Sequence, residues 1–496
     1  MENIAKAAAC PTHVISTIRK ISTILTVTVW LLSCKSGTNP VPEPMPEPED
    51  VTLEVSASEY QFEADRQLAF TVSVKSNRPV TATSSQEWCT AEIVGGKTAD
   101  NLKISVSENI RIDRRTATVT VTAEDSEKPA TFTIKISQQG VRPILSIEEG
   151  AVYVTGERQE FTVRVAANFS PVAFVLPPWI SLKSPDNPEN GGIYTFVADG
   201  LPAAVELRKD SLTVKAANPD VTAAVSIPVV QTDVTSLNVM SYNIYLASGS
   251  LLNWSNRRDA LLKFIRLADV DILGTQETEY TQHDFLKRNL TEYAAYGVGR
   301  NDGKTDGEHN TIFYKKGRFT EHGHGTFWLN QTPDAPGKGW DAGYPRIASW
   351  VILEDKLSGK RIFAVNTHID HIGSEAQKNS IPLLMERISA LHGDLPVVLT
   401  GDFNMPPSNG NIRYVTDASA GHYSLLHAKA IAETPAEGNV GTYHALTDAD
   451  PGIGALIDFI FVDENIRVLR YAVSPPRFES QFLSDHSAVT AKIEIR

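Results

Sequence analysis

Along the first half of the chain, apolar and polar residues alternate. LAFTVSVKSN, RTATVTVTAE, TFTIKISQ and EFTVRVAAN each set Val, Ile, Phe or Ala at every second position among Thr, Ser and charged residues. That period turns one side of an extended segment to a core and the other to water. It predicts antiparallel strands from about 51 to 231. The pattern also repeats. Phe70, Asn77 and Trp88 recur as Phe161, Asn168 and Trp179, each 91 residues on, and FTVSVKSN returns as FTVRVAAN. Two copies of one all-β, Ig-like sandwich domain follow, over 51–140 and 141–232. Trp88 and Trp179 hold equivalent positions and are expected to pack in the two cores.

Near Leu237 the period changes. NVMSYNIYL reads as a strand, and NRRDALLKFIRLADVDILGTQE reads as a helix running into a strand, with Leu261, Leu262, Ile265 and Leu267–Ala268 on the helix's apolar face. SEAQKNSIPLLMERISALHG predicts a second helix, opened by a capping box from Ser374 to Gln377 and ended at Gly393. Its stripe is Ile381, Leu384, Ile388 and Leu391, and Pro382 is expected to kink or shorten it. PVVLTGDFN reads as a buried strand breaking into a polar turn. Residues 236–496 therefore predict a domain of the α/β or α+β class.

In this domain polar residues punctuate the strands. Asn243 follows VMSY, Glu277 follows DILGTQ, His368 follows FAVNT, and Asp402 and Asn404 follow VVLTG. Asp458 sits in ALIDFIF, and Asp485 and His486 precede the last strand. Carboxylate and amide oxygens without thiols suit a hard divalent cation such as Mg²⁺ or Ca²⁺, and two histidines supply acid–base capacity. The formal net charge of −13, with no Lys/Arg run, argues against tight binding of a nucleic acid.

The motifs SYNI, QE, GEHNTIFY, NTHIDH, GDFN, IDFIF and SDH occur in this order. The set resembles the endonuclease/exonuclease/phosphatase superfamily, which implies a four-layer DNase I-like fold over 236–496. The resemblance implies that Asn243 and Glu277 bind a divalent metal, Mg²⁺ or else Mn²⁺ or Ca²⁺, with Asp485 close by. It implies that Asp402 and Asn404 orient and activate a water, Asp402 being the candidate base. His486, oriented by Asp458, would contact the phosphoryl oxygens. His368, paired with Glu308, would form a second acid–base or phosphate-binding dyad, and Arg346 would clamp the phosphate. Asp370 and His371 are left open between a supporting and a structural role. The two sandwiches resemble BACON-type modules, which implies a spacer or a carbohydrate contact.

The first 33 residues read as a signal peptide, with a basic stretch ending at Arg19–Lys20 and the 13-residue apolar run ISTILTVTVWLLS. LLSC resembles a bacterial lipobox, which implies lipidation of Cys34. The proline-rich linker over 34–50 is a semi-rigid spacer. The expected protein is extracytoplasmic and lipid-anchored, at an outer membrane whose face stays open. Its expected function is hydrolysis of a phosphodiester or phosphomonoester on a glycan, sugar or lipid headgroup. A secreted nuclease and a glycan-binding surface lipoprotein are the alternatives.

Overall fold

The computed structural model describes residues 50–65, 69–95, 101–125, 128–183, 191–219 and 221–496. The leader, Cys34 and the linker up to residue 49 lie outside the described residues. The chain divides into two compact units, Met1–Pro143 and Ile144–Arg496.

In the first unit the alternating segments form two four-stranded sheets. One runs Leu53–Val55, Phe70–Ser76, Asn101–Val106, Cys89–Val94. The other runs Glu59–Phe62, Ala130–Gln138, Arg115–Ala123, Val80–Ser84. Val72, Val74, Leu102 and Ile104 from one sheet and Val119, Val121, Ile134 and Ile136 from the other are buried in one core. The second unit begins with a sandwich of the same strand order, down to a parallel pair between its second and last strands, Val152–Val154 and Ala224–Thr232. The tryptophans are half-buried rather than fully enclosed. The Arg115 guanidinium lies 4.3 Å over the Trp88 ring and donates to Gln138 Oε1 (2.9 Å). Arg208 does the same over Trp179, at 4.3 Å, with Gln231 Oε1 (2.7 Å). Each glutamine then donates to backbone carbonyls of neighbouring turns. The sequence repeat is thus a repeated Trp–Arg–Gln staple.

The remainder is built from two sheets packed face to face. The seven-stranded sheet runs Tyr293–Tyr296, His309–Lys315, Ile272–Thr278, Leu237–Asn243, Val489–Ile495, Ile466–Val473, Glu437–Gly438. The six-stranded sheet runs Phe319–Trp328, Ile347–Asp355, Arg361–His368, Val397–Asp402, Asp458–Val462, Leu426–His427. Leu237, Val239, Ile272, Val351, Ala364, Val398 and Ile460 fill the space between them. Helices Trp254–Ala268 and Tyr280–Asn289 cover the outer face of the first sheet, and Ser374–Leu391 and Gly410–Thr416 that of the second. The result is the expected four-layer arrangement.

Three local expectations are corrected. Ser374 is the first helical residue, and the N-cap is Gly373. The cap comes from far away: Asp341 accepts from the backbone N–H of Ala376 (2.7 Å) and Glu375 (3.3 Å), and Gln377 bonds the Asp370 carbonyl instead. Pro382 does not shorten this helix, which runs 18 residues through it on a buried stripe of Ile381, Leu384, Met385 and Ile388. Leu267 is 66% exposed and lies off the buried face of its helix.

Between the sheets, apolar packing gives way to amides toward one end. Gln276 donates to Asn366 Oδ1 (2.7 Å), which also accepts from Thr400 Oγ1 (3.1 Å), while Asn366 donates to the Thr275 carbonyl (2.8 Å). The sheets approach closely here. A Cβ on Gly274 would stand 2.2 Å from Thr400 Oγ1 and 2.7 Å from Asn366 Oδ1. Gly274→Ala is therefore expected to cost about 1–3 kcal/mol, read as a lower urea midpoint at constant m.

Candidate active site

The residues that end the strands meet at this amide-lined end. In the six-stranded sheet, His368 is level with Asp402, and Asp402 with Asp458. In the seven-stranded sheet, Asn243 is level with Gln276. The register shifts between Thr275 and Thr278, and Glu277 sits there at φ +56°. A bulge of this kind re-aims a side chain, and a non-glycine residue held at positive φ marks local strain. Of these residues, Glu277, His368 and Asp402 line a cleft of about 980 Å³.

The two sheets are stitched together by the site itself. Asn243 donates to Glu277 Oε1 (3.0 Å) and to Asp402 Oδ2 (2.9 Å), while its own oxygen accepts from the Tyr245 N–H (3.1 Å). Asp402 Oδ1 accepts from the Asn404 N–H (2.9 Å). His486 Nδ1 pairs with Asp458 Oδ2 at 2.8 Å, and its Nε2 lies 3.8 Å from Asp402 Oδ2 and 4.0 Å from Asp485 Oδ1. The Asn404 amide N–H₂ meets His368 Nε2 at 3.0 Å, which leaves the His368 proton on Nδ1.

Charge separates the two histidines. Burial opposes a charged His486, but Asp458 and Asp402 outweigh it and hold its pKa well above the ordinary value. His368 is held well below, by burial first and then by Arg346 and Arg300. At neutral pH an imidazolium and a neutral imidazole therefore flank one carboxylate. Burial, then the charge of Asp458, pushes Asp402 up to about 7.

Arg346 is 3% exposed. Its Nε donates to Asp370 Oδ1 (3.3 Å) and its Nη2 to His371 Nδ1 (3.0 Å). Its Nη1 has no hydrogen-bond partner among the described residues. Asp370 also accepts from the N–H groups of Gly343, Ile372 and Gly373, so it is a fixed anchor for the arginine. The expected Glu308–His368 pair is loose. The two lie 3.7 Å apart, while Arg300 Nη1 holds Glu308 at 2.6 Å.

Of the sequence-derived candidates, Glu277, Glu308, Arg346, His368, Asp402, Asn404, Asp485 and His486 line the cleft, and Asn243 and Asp458 stand behind them. Sequence reading missed Arg257 and Arg300. Arg257, 2% exposed, donates to the carbonyls of Ile244, Tyr245 and Leu483, and so fixes the loops that carry Asn243 and Asp485. It stands four residues before Leu261 on the buried helix face, and that spacing was its one signal.

Two acid groups could hold a cation. Asp402, Asp458 and His486 have ligand atoms within 4.8 Å of one another. A protonated His486 cannot ligate, so we read that cluster as a proton network. Glu277 and Asp485 also line the cleft, and both offer hard oxygen donors. Their oxygens are of the type a divalent metal takes, whereas Asn243, expected beside them as a ligand, is fully buried behind the cleft with its oxygen accepting from the Tyr245 N–H.

Residues 240–486 match the profile of the endonuclease/exonuclease/phosphatase family, and residues 52–137 match that of the viral BACON domain. The crystal structure of an endonuclease/exonuclease/phosphatase from Bacteroides vulgatus is 35% identical, with a TM-score of 0.50, covering 53% of this chain and 100% of that one. A mannosyl-6-phosphatase, Bt3783, from Bacteroides thetaiotaomicron is 34% identical, with a TM-score of 0.48, covering 52% of this chain and 100% of that one. The CCR4-Not complex 3'-5'-exoribonuclease subunit Ccr4 of Coccidioides immitis is 31% identical over 167 residues, 29% of this chain and 22% of that protein. The chain spans between 22% and 60% of the length of the curated relatives it matches. The fold and the site define a phosphate-ester hydrolase scaffold. The chain belongs to the endonuclease/exonuclease/phosphatase family, whose members are hydrolases of phosphate esters and generally depend on a divalent metal.

Proposed function

We propose that this protein is a divalent-metal-dependent phosphoesterase that hydrolyses a phosphate ester of a glycan, sugar or lipid headgroup by direct attack of water. The observation that carries this reading is the arrangement around Asp402: imidazolium His486 on one side, neutral His368 on the other, and in the same cleft Arg346, whose Nη1 makes no hydrogen bond among the described residues and lies 3.9 Å from Glu308. With a pKa of about 7, Asp402 is poised to take a proton from water at neutral pH. Asn404 and His368 would hold that water. His486 and Arg346 would bind the phosphoryl oxygens, where guanidinium and imidazolium donors gain strength as charge develops. Glu277 and Asp485 would hold the metal, Mg²⁺ by donor type, with Asn243 fixing the Glu277 carboxylate. When bound, the metal neutralises phosphoryl charge and helps the leaving oxygen depart. On this reading the enzyme works outside the cytoplasm, tethered to a membrane through Cys34.

The test is hydrolysis of p-nitrophenyl phosphate, bis-p-nitrophenyl phosphate, sugar phosphates and plasmid DNA, with Mg²⁺ and with EDTA. We expect turnover of a small ester that EDTA lowers by about 100-fold or more. Dominant cleavage of plasmid would move the reading to a nuclease. No turnover with any divalent metal would end it.

A further inference from the structure

Beyond the reacting end, the same cleft carries Tyr344, Arg300 and His371, which no step above uses. Tyr344 is 47% exposed, although Arg346 two residues on is buried. The Arg300 guanidinium lies 4.7 Å and Lys338 Nζ 5.9 Å from the Tyr344 ring centroid, and these cations hold the ring in place. Arg300 is itself held by Glu308, so it is not free to swing to a phosphate. The His371 ring lies almost parallel to Tyr344, at 6.3 Å and 18°. His371 has one tautomer open to it. Arginine only donates, so His371 Nδ1, meeting Arg346 Nη2, is an acceptor, and Nε2 carries the proton. No partner for that N–H is found among the described residues. Arg346 links the two parts of the cleft: its Nη2 meets His371, and its Nη1 lies 3.9 Å from Glu308, which in turn stands 3.7 Å from His368.

We propose that Tyr344, His371 and Arg300 form the subsite for the alcohol part of the ester, and that this part is a polyhydroxylated ring such as a hexose. The inference rests on the phosphoesterase reading and narrows its substrate. A sugar ring offers an apolar face to an aromatic platform and hydroxyls to a fixed N–H donor. Glu279 and Asp306, also on the cleft wall, can accept from hydroxyls.

The full chain would be assayed with a hexose 6-phosphate, propyl phosphate and a nucleoside 5'-monophosphate. We expect the hexose ester to be preferred over the propyl ester. The ratio of their kcat/KM values should fall by about tenfold or more in Tyr344→Ala, mainly through KM. His371→Ala should also lower it, and His371→Gln, which keeps a donor, should restore part of the loss. Equal use of hexose and propyl esters overturns the subsite, as does an unchanged ratio in Tyr344→Ala or a preference for the nucleotide. Calorimetry separates this inference from the reading beneath it. If no ester is turned over, tighter binding of hexose 6-phosphate than of inorganic phosphate, with the gap closed in Tyr344→Ala, still supports the subsite. Equal affinities would overturn it.

Discussion

Asp402→Asn is expected to lower kcat/KM by about 10²–10⁴-fold and, at pH 8, to make the protein more stable. The two effects share a cause. Asp402 is 1% exposed, and burial and Asp458 raise its pKa to about 7. A carboxyl raised above its unfolded value contributes stability that is present in acid and lost as pH climbs through the folded pKa. Above pH 7 the native state therefore holds an anion at a cost. The asparagine removes that cost, and gives up one hydrogen bond from Asn243. The net gain at pH 8 should be on the order of 3 kcal/mol, fading toward pH 4. Urea unfolding at the two pH values, in EDTA, reads the stability, and initial rates read the catalysis. A variant within tenfold of wild-type activity would remove Asp402 from the role of proton acceptor.

Asp458→Asn should move the pH–rate profile as a whole. Asp458 bonds His486 Nδ1 at 2.8 Å and is the largest favourable influence on its raised pKa. It is also the second cause, after burial, of the raised pKa of Asp402. Removing its charge lowers both. The acid limb, where Asp402 must lose its proton, shifts to lower pH. The alkaline limb, where His486 must keep its own, shifts the same way. At pH 8 we expect kcat/KM to fall by about 100-fold or more, with part of the activity recovered near pH 6. Full profiles for the two proteins decide it. An alkaline limb that stayed in place would show that the group titrating there is not His486.

How much of this was legible in the sequence follows from what kind of physics set each feature. Strand period, the sandwich repeat and the helix faces are local, and they read directly: Val72 and Val74 are buried, as are Leu261 and Ile265. The site residues were legible because each stands at one end of an apolar strand, and neighbouring strands bring the residues at their ends together. Partnerships were harder. Asp341 caps a helix that begins 33 residues later, because a loop folds back to that helix N-terminus. Glu308 belongs mainly to Arg300 because an arginine fork can hold a carboxylate more closely than a neutral imidazole does. The amide bridge of Gln276 and Asn366 joins strands of different sheets, and no local pattern carries that information.

The cleft belongs to neither sheet alone. Asn243, Glu277, Glu308, Asp485 and His486 flank strands of the seven-stranded sheet, and Arg346, His368, Asp402, Asn404 and Asp458 flank strands of the six-stranded one. Three contacts cross the seam: Asn243 to Asp402, His486 to Asp458 and, more loosely at 3.9 Å, Glu308 to Arg346. The strand that Asp485 and His486 precede, Val489–Ile495, is central in its sheet. The site is therefore assembled only where the two sheets have closed against each other.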